Sequence, residues 1–443
     1  MKLAIASDIH LGDPECVLVD VDPQSPTGWR LAPFYDRFKT AVQSGNRYLV
    51  LIGDIFDLSI ANYTQAYGAA KTLLQAVNRD GLADEIIYVA GNHDFSVYRT
   101  FVHQRNVINR IRNEKLPTTF WTVPGVLDDS PGAPPDPVNG QPLRGELVLP
   151  DVRPNRGPGP RYAGLFLDDL SAVPADPATG SPAKPGLPVN FAYPNLYFVE
   201  SDGTAWLITH GHYLQDYWSL GGRVACRMAY DDLGLRPGAC DMTLEDLVGF
   251  NVPLGELDSA SLGQAGKLSA VFRDLQQETR DGDTRRMSRY MRRAIAWLTE
   301  ELPWWAQPAR LPLHVALDAT RHLITDAVRD HPDVRYDPQF LLRPPTKAHF
   351  ESFYQASLQE LSRLRAHPKR PQPDLPNPHR FLFGHTHRPI PLNRYVPLEV
   401  GGSPIRFFNT GGWLWRKANH TGSQVGAAVF TYETEAGFSS TLL

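Results

Sequence analysis

The chain has 443 residues, of which 42% are hydrophobic and 10% aromatic, so it can bury a sizeable core and is not a disordered protein. Its formal net charge of −4 argues against a polycation that coats nucleic acid or an anionic membrane. Three cysteines, Cys16, Cys226 and Cys240, favour a reducing compartment over a disulfide-built fold. We expect a cytoplasmic protein, because no apolar run is long enough to span a membrane and the first residues predict a strand rather than a signal peptide.

Five short apolar segments each end in a cluster of polar, ionisable residues. They are predicted to be buried strands because they are continuous runs rich in β-branched and aromatic residues. These strands are Lys2–Ser7, Tyr48–Ile52, Glu85–Ala90, Ala205–Thr209 and Arg380–Phe383. Helical segments at Phe34–Ser44 and Tyr67–Arg79 separate the first three strands, which predicts an α/β fold. Ligands in such folds bind beyond the carboxyl ends of the strands, where every polar cluster lies.

Two regions interrupt this pattern. Pro124–Pro194 is rich in proline and glycine and predicts a long irregular excursion. Tyr213–Asn377 looks mainly helical, with Gly266–Gln277, Thr284–Glu301, Pro312–Asp330 and Thr346–His367 as the best candidate helices. The predicted organisation is an α/β core in three parts (1–123, 195–214 and 378–443), a Pro/Gly-rich insertion (124–194) and a mainly helical cap (215–377).

The polar clusters combine carboxylate, amide and imidazole groups. Their candidate metal ligands are Asp8, His10, Asp54, Asn92, His210, His385 and His387. Such a set is too large for one tetrahedral zinc ion and suits two adjacent divalent cations. Asp54 is the natural bridge, because one carboxylate can give an oxygen to each ion. Burying so many polar groups together would be costly without cations to pair them.

The motifs resemble those of the calcineurin-like metallophosphoesterases. In chain order they are Asp-x-His, Gly-Asp-x-x-Asp, Gly-Asn-His-Asp, His-Gly-His and Gly-His-Thr-His, and the run from Asn409 to Trp413 resembles the family's Asn-Thr-Gly-Ser turn. The resemblance covers roughly residues 1–110, 196–214 and 379–433. It implies a four-layer α/β/β/α sandwich with a dimetal centre at the strand ends.

The resemblance also implies a role for each motif residue. Asp8, His10 and His387 would ligate the first metal, Asn92, His210 and His385 would ligate the second, and Asp54 would bridge the two. His93 would face the scissile phosphate and protonate the leaving oxygen, and Asp57 would orient it and keep it cationic. The implied cofactors are two divalent metal ions, with Mn²⁺ favoured and Fe, Zn or Co as alternatives.

Other polar residues keep alternative interpretations. Asp94 either supports the metal ligands or caps a helix, and His212 either contacts substrate or holds a metal-bound water. Arg292 and Arg293 belong to a predicted arginine-rich helix. In the purely structural interpretation, this helix packs against the core and its arginines are solvated. The functional hypothesis places this helix over the cleft as a phosphate-binding lid. Its apolar residues are Met287, Met291, Ile295 and Leu298, with Trp297, Trp304 and Trp305 forming an apolar wall.

The predicted function is a metal-dependent phosphoric ester hydrolase, a phosphodiesterase or phosphatase, in which a metal-bridging hydroxide attacks phosphorus. The cap would select the substrate, and its composition suits an ester with a bulky apolar or aromatic portion. Within the family the early motifs resemble both the UDP-2,3-diacylglucosamine pyrophosphohydrolases and the DNA double-strand-break repair nucleases. A nucleic-acid substrate is not favoured, because the net charge is negative and little sequence follows His387. A non-catalytic scaffold of the same fold is the remaining alternative, and the complete set of motif residues argues against it.

Overall fold

The computed structural model describes residues 1–152, 167–229, 242–256, 285–300 and 340–443, apart from 119, 138, 176, 178–179, 216, 401 and 416–425, together with isolated residues at 162, 232, 234, 259, 271, 274–275, 278 and 283. The helix predicted at Pro312–Asp330 lies outside the described residues, and so does Gly266–Gln277 apart from three positions. Trp304, Trp305 and the side chains of Trp297 and Leu298 lie outside them as well.

The first of two large sheets has six strands. Their bounds are β1 (Lys2–Ala6), β4 (Asn46–Ile52), β5 (Ala83–Val89), β8 (Val189–Phe191), β14 (Ala428–Glu433) and β15 (Gly437–Leu442). The strand order is β15-β14-β1-β4-β5-β8. β1, β4, β5 and β8 run parallel, whereas β14 and β15 complete one side in antiparallel register. A separate two-stranded ribbon pairs β2 (Val19–Val21) with β3 (Trp29–Leu31).

The second large sheet has seven strands. Their bounds are β6 (Gly125–Asp128), β7 (Leu147–Val148), β9 (Asn195–Val199), β10 (Ala205–Thr209), β11 (Arg380–Phe383), β12 (Val396–Val400) and β13 (Ser403–Asn409). The strand order is β12-β13-β11-β10-β9-β6-β7. β10, β11 and β13 are parallel, so residues far apart in the sequence follow neighbouring strand ends.

Eight α-helices are interspersed with the strands along the described part of the chain. Their bounds are α1 (Tyr35–Val42), α2 (Tyr63–Arg79), α3 (Phe95–His103), α4 (Asn109–Arg112), α5 (Leu220–Met228), α6 (Leu244–Glu256), α7 (Arg285–Glu300) and α8 (Pro344–Arg365). A π-helical segment, Gln104–Ile108, joins α3 to α4, and 3-10 turns occur at Asp168–Ser171, His212–Leu214, Tyr217–Ser219, Phe340–Leu342 and Leu392–Arg394. The local sequence explains where two of these helices begin. A capping box between Asn62 and Gln65 begins α2, and prolines occupy the first turn of α8.

The two large sheets pack face to face through aromatic side chains. The ring of Trp206 on β10 lies 4.3 Å from that of Phe438 on β15, and Phe198 on β9 lies 4.8 Å from Tyr432 on β14. On the outer faces, α1 packs against β14 and α2 against β5, whereas Phe350 of α8 packs 5.0 Å from Phe381 of β11. The expected four-layer α/β/β/α architecture is therefore confirmed.

The predicted strands agree with the structure closely, but the region 124–194, which was expected to be an irregular excursion, contributes β8 to the first sheet and β6 and β7 to the second. All five predicted strands are present within about two residues of their predicted bounds, and the helices predicted at Thr284–Glu301 and Thr346–His367 are α7 and α8. The cysteines differ from expectation, because Cys226 is disulfide-bonded, although Cys16 is a buried free thiol. None of the helices in the described part of the chain has the length and apolar character needed to cross a membrane.

Candidate metal centre

The backbone bends sharply where the strands meet the polar clusters. Five residues there have left-handed backbone conformations: Asp8, His10, Asp54, His385 and His387, with φ between 49° and 66°. Residues other than glycine adopt this region infrequently, and each instance costs about 1–3 kcal/mol. All five are residues that the motifs single out as metal ligands, so the folded chain concentrates local backbone strain at the site.

Glycines in the motifs let these side chains approach the backbone. A β-carbon on Gly53 would overlap the ring of His210, and one on Gly384 would overlap the carboxylate of Asp8. The Gly-Asp and Gly-His pairs of the sequence are therefore packing requirements of the site, and they bring the two sheets together at the same edge.

Asp8, His10 and His387 form the first group of converging side chains. Nε2 of His387 lies 3.2 Å from Oδ1 of Asp8 and 2.9 Å from Nε2 of His10. All three side chains are buried and their ligand atoms lie within 4.8 Å of one another. Two imidazole nitrogens and a carboxylate in this arrangement can bind one divalent cation.

Asp54, His210 and His385 form the second group, within the same 4.8 Å limit. Nε2 of His210 lies 3.2 Å from Oδ2 of Asp54 and 3.2 Å from the side-chain oxygen of Asn92. Oδ2 of Asp54 also lies 4.0 Å from Nε2 of His10. Asp54 is thus the carboxylate that lies between the two groups.

Hydrogen bonds fix which nitrogen two of the imidazoles turn toward the centre. Nδ1–H of His10 donates to Oδ2 of Asp57 at 2.8 Å, and Nδ1–H of His210 donates to the carbonyl of Ile52 at 2.9 Å. Because both partners can only accept, Nε2 carries the lone pair in the neutral form of each ring and faces the centre. This is the tautomer that a metal ligand needs.

The electrostatics of the site also favour cation binding. Burial lowers the pKa of His10 to about 3 and that of His385 well below its usual value, so both rings are neutral. Burial by itself would raise the pKa of Asp54, but the neighbouring His210, His93 and His10 hold it well below its usual range. Burial raises the pKa of Asp8 to about 6. Although burial lowers it, the adjacent carboxylate of Asp54 raises the pKa of His210 to about 9, so a cation bound there would displace a proton from that ring. Neutral imidazoles beside ionised carboxylates bind divalent ions, and once that proton is displaced the donor set fits the two metals that the sequence implies.

His93 lies beside both groups. Its Nε2 is 3.9 Å from Oδ2 of Asp54, and its Nδ1 is 2.8 Å from the hydroxyl of Ser59 and 3.4 Å from Oδ1 of Asp57. The Ser59 hydroxyl donates to Asp57 at 2.5 Å. Asp57 therefore has its shorter contact with His10, and its link to His93 runs largely through Ser59. Sequence analysis did not single out Ser59, because a serine two residues beyond a motif carries no distinctive signal.

Asp94 supports the loops rather than capping a helix. Its carboxylate accepts hydrogen bonds from the amides of Ile55 and Gly91, at 2.8 and 2.6 Å, and from the hydroxyl of Tyr88. Although Asp94 precedes α3, its side chain makes no capping hydrogen bond to that helix. Of its two proposed roles, the structure therefore excludes side-chain capping and places the carboxylate between two ligand-bearing loops.

The run from Asn409 to Trp413 supports the ligands from the end of β13. The side-chain amide of Asn409 donates to the carbonyl of Gly384 at 2.6 Å, and the amide of Trp413 donates to the carbonyl of Asp8 at 2.9 Å. Thr410 contacts the hydroxyl of Ser7, which in turn donates to Asp8. This turn therefore ties the backbone of two motifs together.

His212 is buried behind the second group. Nε2 lies 3.4 Å from the hydroxyl of Tyr193, and Nδ1 has no hydrogen-bond partner among the residues that the structure describes. With Asn92, Tyr213 and Trp218 it lines a narrow cavity of about 10 Å³, no larger than a single water molecule. Its contact with substrate or with a bound water stays a prediction.

Arg292 and Arg293 are exposed on α7. Within the described part of the chain, no hydrogen bond or ion pair joins either guanidinium to the clustered ligands. Met287 and Met291 are half-buried and Ile295 is buried, so the apolar side of the helix is covered. The lid role of these two arginines therefore stays a prediction.

Comparison with known proteins gives one family assignment. The model of the calcineurin-like phosphoesterase family matches residues 1–234, which include the first four motifs. No curated protein matches the chain significantly. Among solved structures, a dimetal phosphatase from Danio rerio aligns with 100% of this chain and 98% of its own at 11% identity, with a TM-score of 0.27. A structural similarity that low supports no inference.

Proposed function

The chain belongs to the calcineurin-like phosphoesterase family, and on that basis we propose that it hydrolyses a phosphodiester or phosphomonoester at a centre of two divalent metals. The observation that carries the proposal is the convergence of two buried ligand groups on the carboxylate of Asp54. Bound divalent cations would lower the pKa of a water molecule and neutralise charge on the phosphoryl oxygens.

Each side chain has a proposed role. Asp8, His10 and His387 hold one ion, Asn92, His210 and His385 hold the other, and Asp54 bridges them. His93, within reach of the space between the groups, stabilises the phosphoryl charge and donates a proton to the leaving oxygen. Ser59 and Asp57 hold its ring in place.

A small phosphate ester is the proposed substrate class, rather than duplex DNA. Support comes from enclosure, because the candidate ligands and His93 are each at most 8% exposed. Support also comes from the net charge of −4, which gives the protein no general attraction for a polyanion. In this proposal the cap selects the substrate and Mn²⁺ is the first metal to test.

A metal-reconstituted activity screen tests the proposal. Purified protein is stripped of metal, reloaded with Mn²⁺, Fe²⁺, Zn²⁺ or Co²⁺, and assayed on aryl monoesters, aryl diesters, cyclic nucleotides and nucleoside diphosphate conjugates. Hydrolysis of at least one ester class that depends on the added metal is expected. Binding of two ions with no hydrolysis of any ester would favour the scaffold, and preferential cleavage of DNA would favour the nuclease.

Asp54→Asn supplies the matched variant for this screen. Loss of the charge between the two groups should abolish activity and reduce the bound metal below two ions per chain, as measured by elemental analysis. Asp36→Asn, at an exposed position on α1, is the control and should keep both. Two metals and normal turnover in Asp54→Asn would remove Asp54 from the site.

A further inference from the structure

His385 differs from His10 and His210 in what holds its ring. Asp57 and Ile52, which hold the other two rings, both belong to the first part of the chain. The ring of His385 is held by Gln215, whose Oε1 lies 2.9 Å from Nε2. Gln215 is the first residue of the predicted cap segment, 215–377, so the cap reaches a candidate metal ligand directly.

We propose that Gln215 is a positioning residue for the metal centre. Its side-chain carbonyl accepts a hydrogen bond from Nε2–H of His385 and thereby presents Nδ1 of that ring to the metal. This inference rests on the proposed function, because it takes His385 as a ligand.

The reason lies in the chemistry of imidazole. A neutral ring carries one N–H donor and one lone pair, so a hydrogen bond that keeps the proton on Nε2 leaves Nδ1 free to bind a cation. His385 is 7% exposed, so water does not readily replace a lost acceptor. Partners that fix the orientation and tautomer of a ligating histidine typically change metal affinity by roughly 10–100-fold.

Gln215 is itself anchored by the start of the cap. Its backbone amide donates to the carbonyl of His212 at 3.0 Å, and its carbonyl accepts from the hydroxyl of Ser219 at 3.3 Å. Gln215 directly follows the 3-10 turn His212–Leu214, and that turn begins two residues after the candidate ligand His210. A shift of the backbone at the start of the cap would move the side-chain carbonyl that accepts from His385. It would thereby change the affinity of one of the two metal sites.

Two substitutions of Gln215 test whether its side chain accepts a hydrogen bond from His385 or only fills space. Gln215→Leu keeps approximate size but removes the acceptor, whereas Gln215→Glu keeps an acceptor and cannot donate. Gln75→Leu is the matched control, because Gln75 lies on α2 and donates to the carbonyl of Ala172 at 2.6 Å. If Gln215→Leu does not fold, Gln215→Asn replaces it, since the shorter amide cannot reach the ring.

The readout is calorimetric titration of the metal-free proteins with Mn²⁺, which resolves two binding events if the centre is dinuclear. Gln215→Leu should weaken one event by roughly 10–100-fold and leave the other unchanged. Gln215→Glu should stay within about threefold of the unmutated protein, and Gln75→Leu should match it. Wild-type affinities in Gln215→Leu would overturn the proposal, as would equal weakening of both events. A loss in Gln215→Glu as large as in Gln215→Leu would mean that the amide donates to the ring, which also overturns it.

Failure of this inference and failure of the proposed function are distinguishable. If the unmutated protein binds two ions and hydrolyses an ester while Gln215→Leu behaves identically, only the role of Gln215 is wrong. If the unmutated protein binds no ions, the proposed function fails and the role of Gln215 fails with it.

Discussion

At the scale of single residues, the site depends on side chains that hold other side chains. Asp57 accepts from His10 and, through the hydroxyl of Ser59, orients His93. Asp94 holds the loops that carry Asp54 and Asn92 by accepting from the amides of Ile55 and Gly91. Buried carboxylates with several hydrogen bonds fix geometry, because loss of one partner leaves a buried polar group unpaired.

His93→Ala tests the role proposed for this ring. Metal content should be retained, while turnover of an ester with a poor leaving group should fall by about 10²–10⁴. The defect should shrink for an ester of p-nitrophenol, because that leaving group needs no proton. Steady-state kinetics on both esters measure the difference.

The control for His93 is His103→Ala, at an exposed position at the end of α3, which should be silent on both esters. An equal loss for both leaving groups in His93→Ala would exclude proton donation and leave only charge stabilisation.

At the scale of secondary-structure elements, α8 docks on the second sheet through a buried polar cluster. Glu360 on α8 accepts a hydrogen bond from the hydroxyl of Tyr197 on β9 at 2.8 Å. The side-chain amide of Asn195 lies 3.4 Å from the same carboxyl, and its Oδ1 has no partner within the described residues. Burial raises the pKa of Glu360 to about 7, with Arg363 opposing and Asp151 adding to the rise. Burial therefore outweighs the hydrogen bonds donated by Tyr197 and Asn195, which favour the ionised carboxylate.

Glu360→Gln should therefore change how stability depends on pH. The folded-state pKa lies above the ordinary value of about 4.5, so the protein loses stability as pH rises from about 4.5 to 7 and the loss is complete above that window. A neutral glutamine should remove this slope and raise the free energy of unfolding at pH 8 by roughly 1–3 kcal/mol. Urea unfolding at pH 5 and pH 8 measures it.

Glu351→Gln is the control for this titration, because Glu351 lies on the same helix with its side chain 46% exposed. It should leave the pH slope unchanged. An unaltered slope in Glu360→Gln would show that α8 docks independently of this carboxyl.

The lid hypothesis also belongs to this scale. Double replacement of Arg292 and Arg293 by Ala should raise KM for the preferred substrate and leave a minimal aryl phosphate nearly unaffected, because remote contacts help only the larger molecule. The control pair is Arg285 and Arg289, exposed on the same helix, where the first pairs with Asp283 and the second lies over Tyr290. Unchanged constants for both substrates in a folded double variant would reduce α7 to a packing element.

At the scale of the whole molecule, the metal centre joins segments from both ends of the chain. Asp8 follows a strand of the first sheet and His387 follows a strand of the second, and Nε2 of the histidine lies 3.2 Å from the carboxylate. Cations that bind both would favour the docked arrangement of the two sheets, since a ligand that binds only the folded state stabilises it.

Removal of metal should therefore lower the melting temperature. At a free metal concentration 100 times the dissociation constant, each site should contribute about 2.7 kcal/mol. Differential scanning calorimetry of the chelated protein, before and after addition of Mn²⁺, measures this shift. The Asp54→Asn protein should gain less from Mn²⁺ than the unmutated protein, and an equal gain in both would place the stabilising ions elsewhere.

The sequence by itself determined the five strands that precede the motifs, the fold class and which motif residues come together. Continuous apolar runs that end in Gly-Asp, Gly-Asn-His or Gly-His specify both a buried strand and the polar group beyond it. The position of these polar residues at the sheet edge can therefore be predicted from the local sequence. The tertiary structure alone decided which groups hold these side chains. Ser59, Gln215 and Ile52 reach His93, His385 and His210 only because separate loops meet at one edge. A hydrogen bond between residues so far apart in the sequence produces no recognisable sequence pattern. It depends on where two backbone segments approach in space rather than on the spacing of residues.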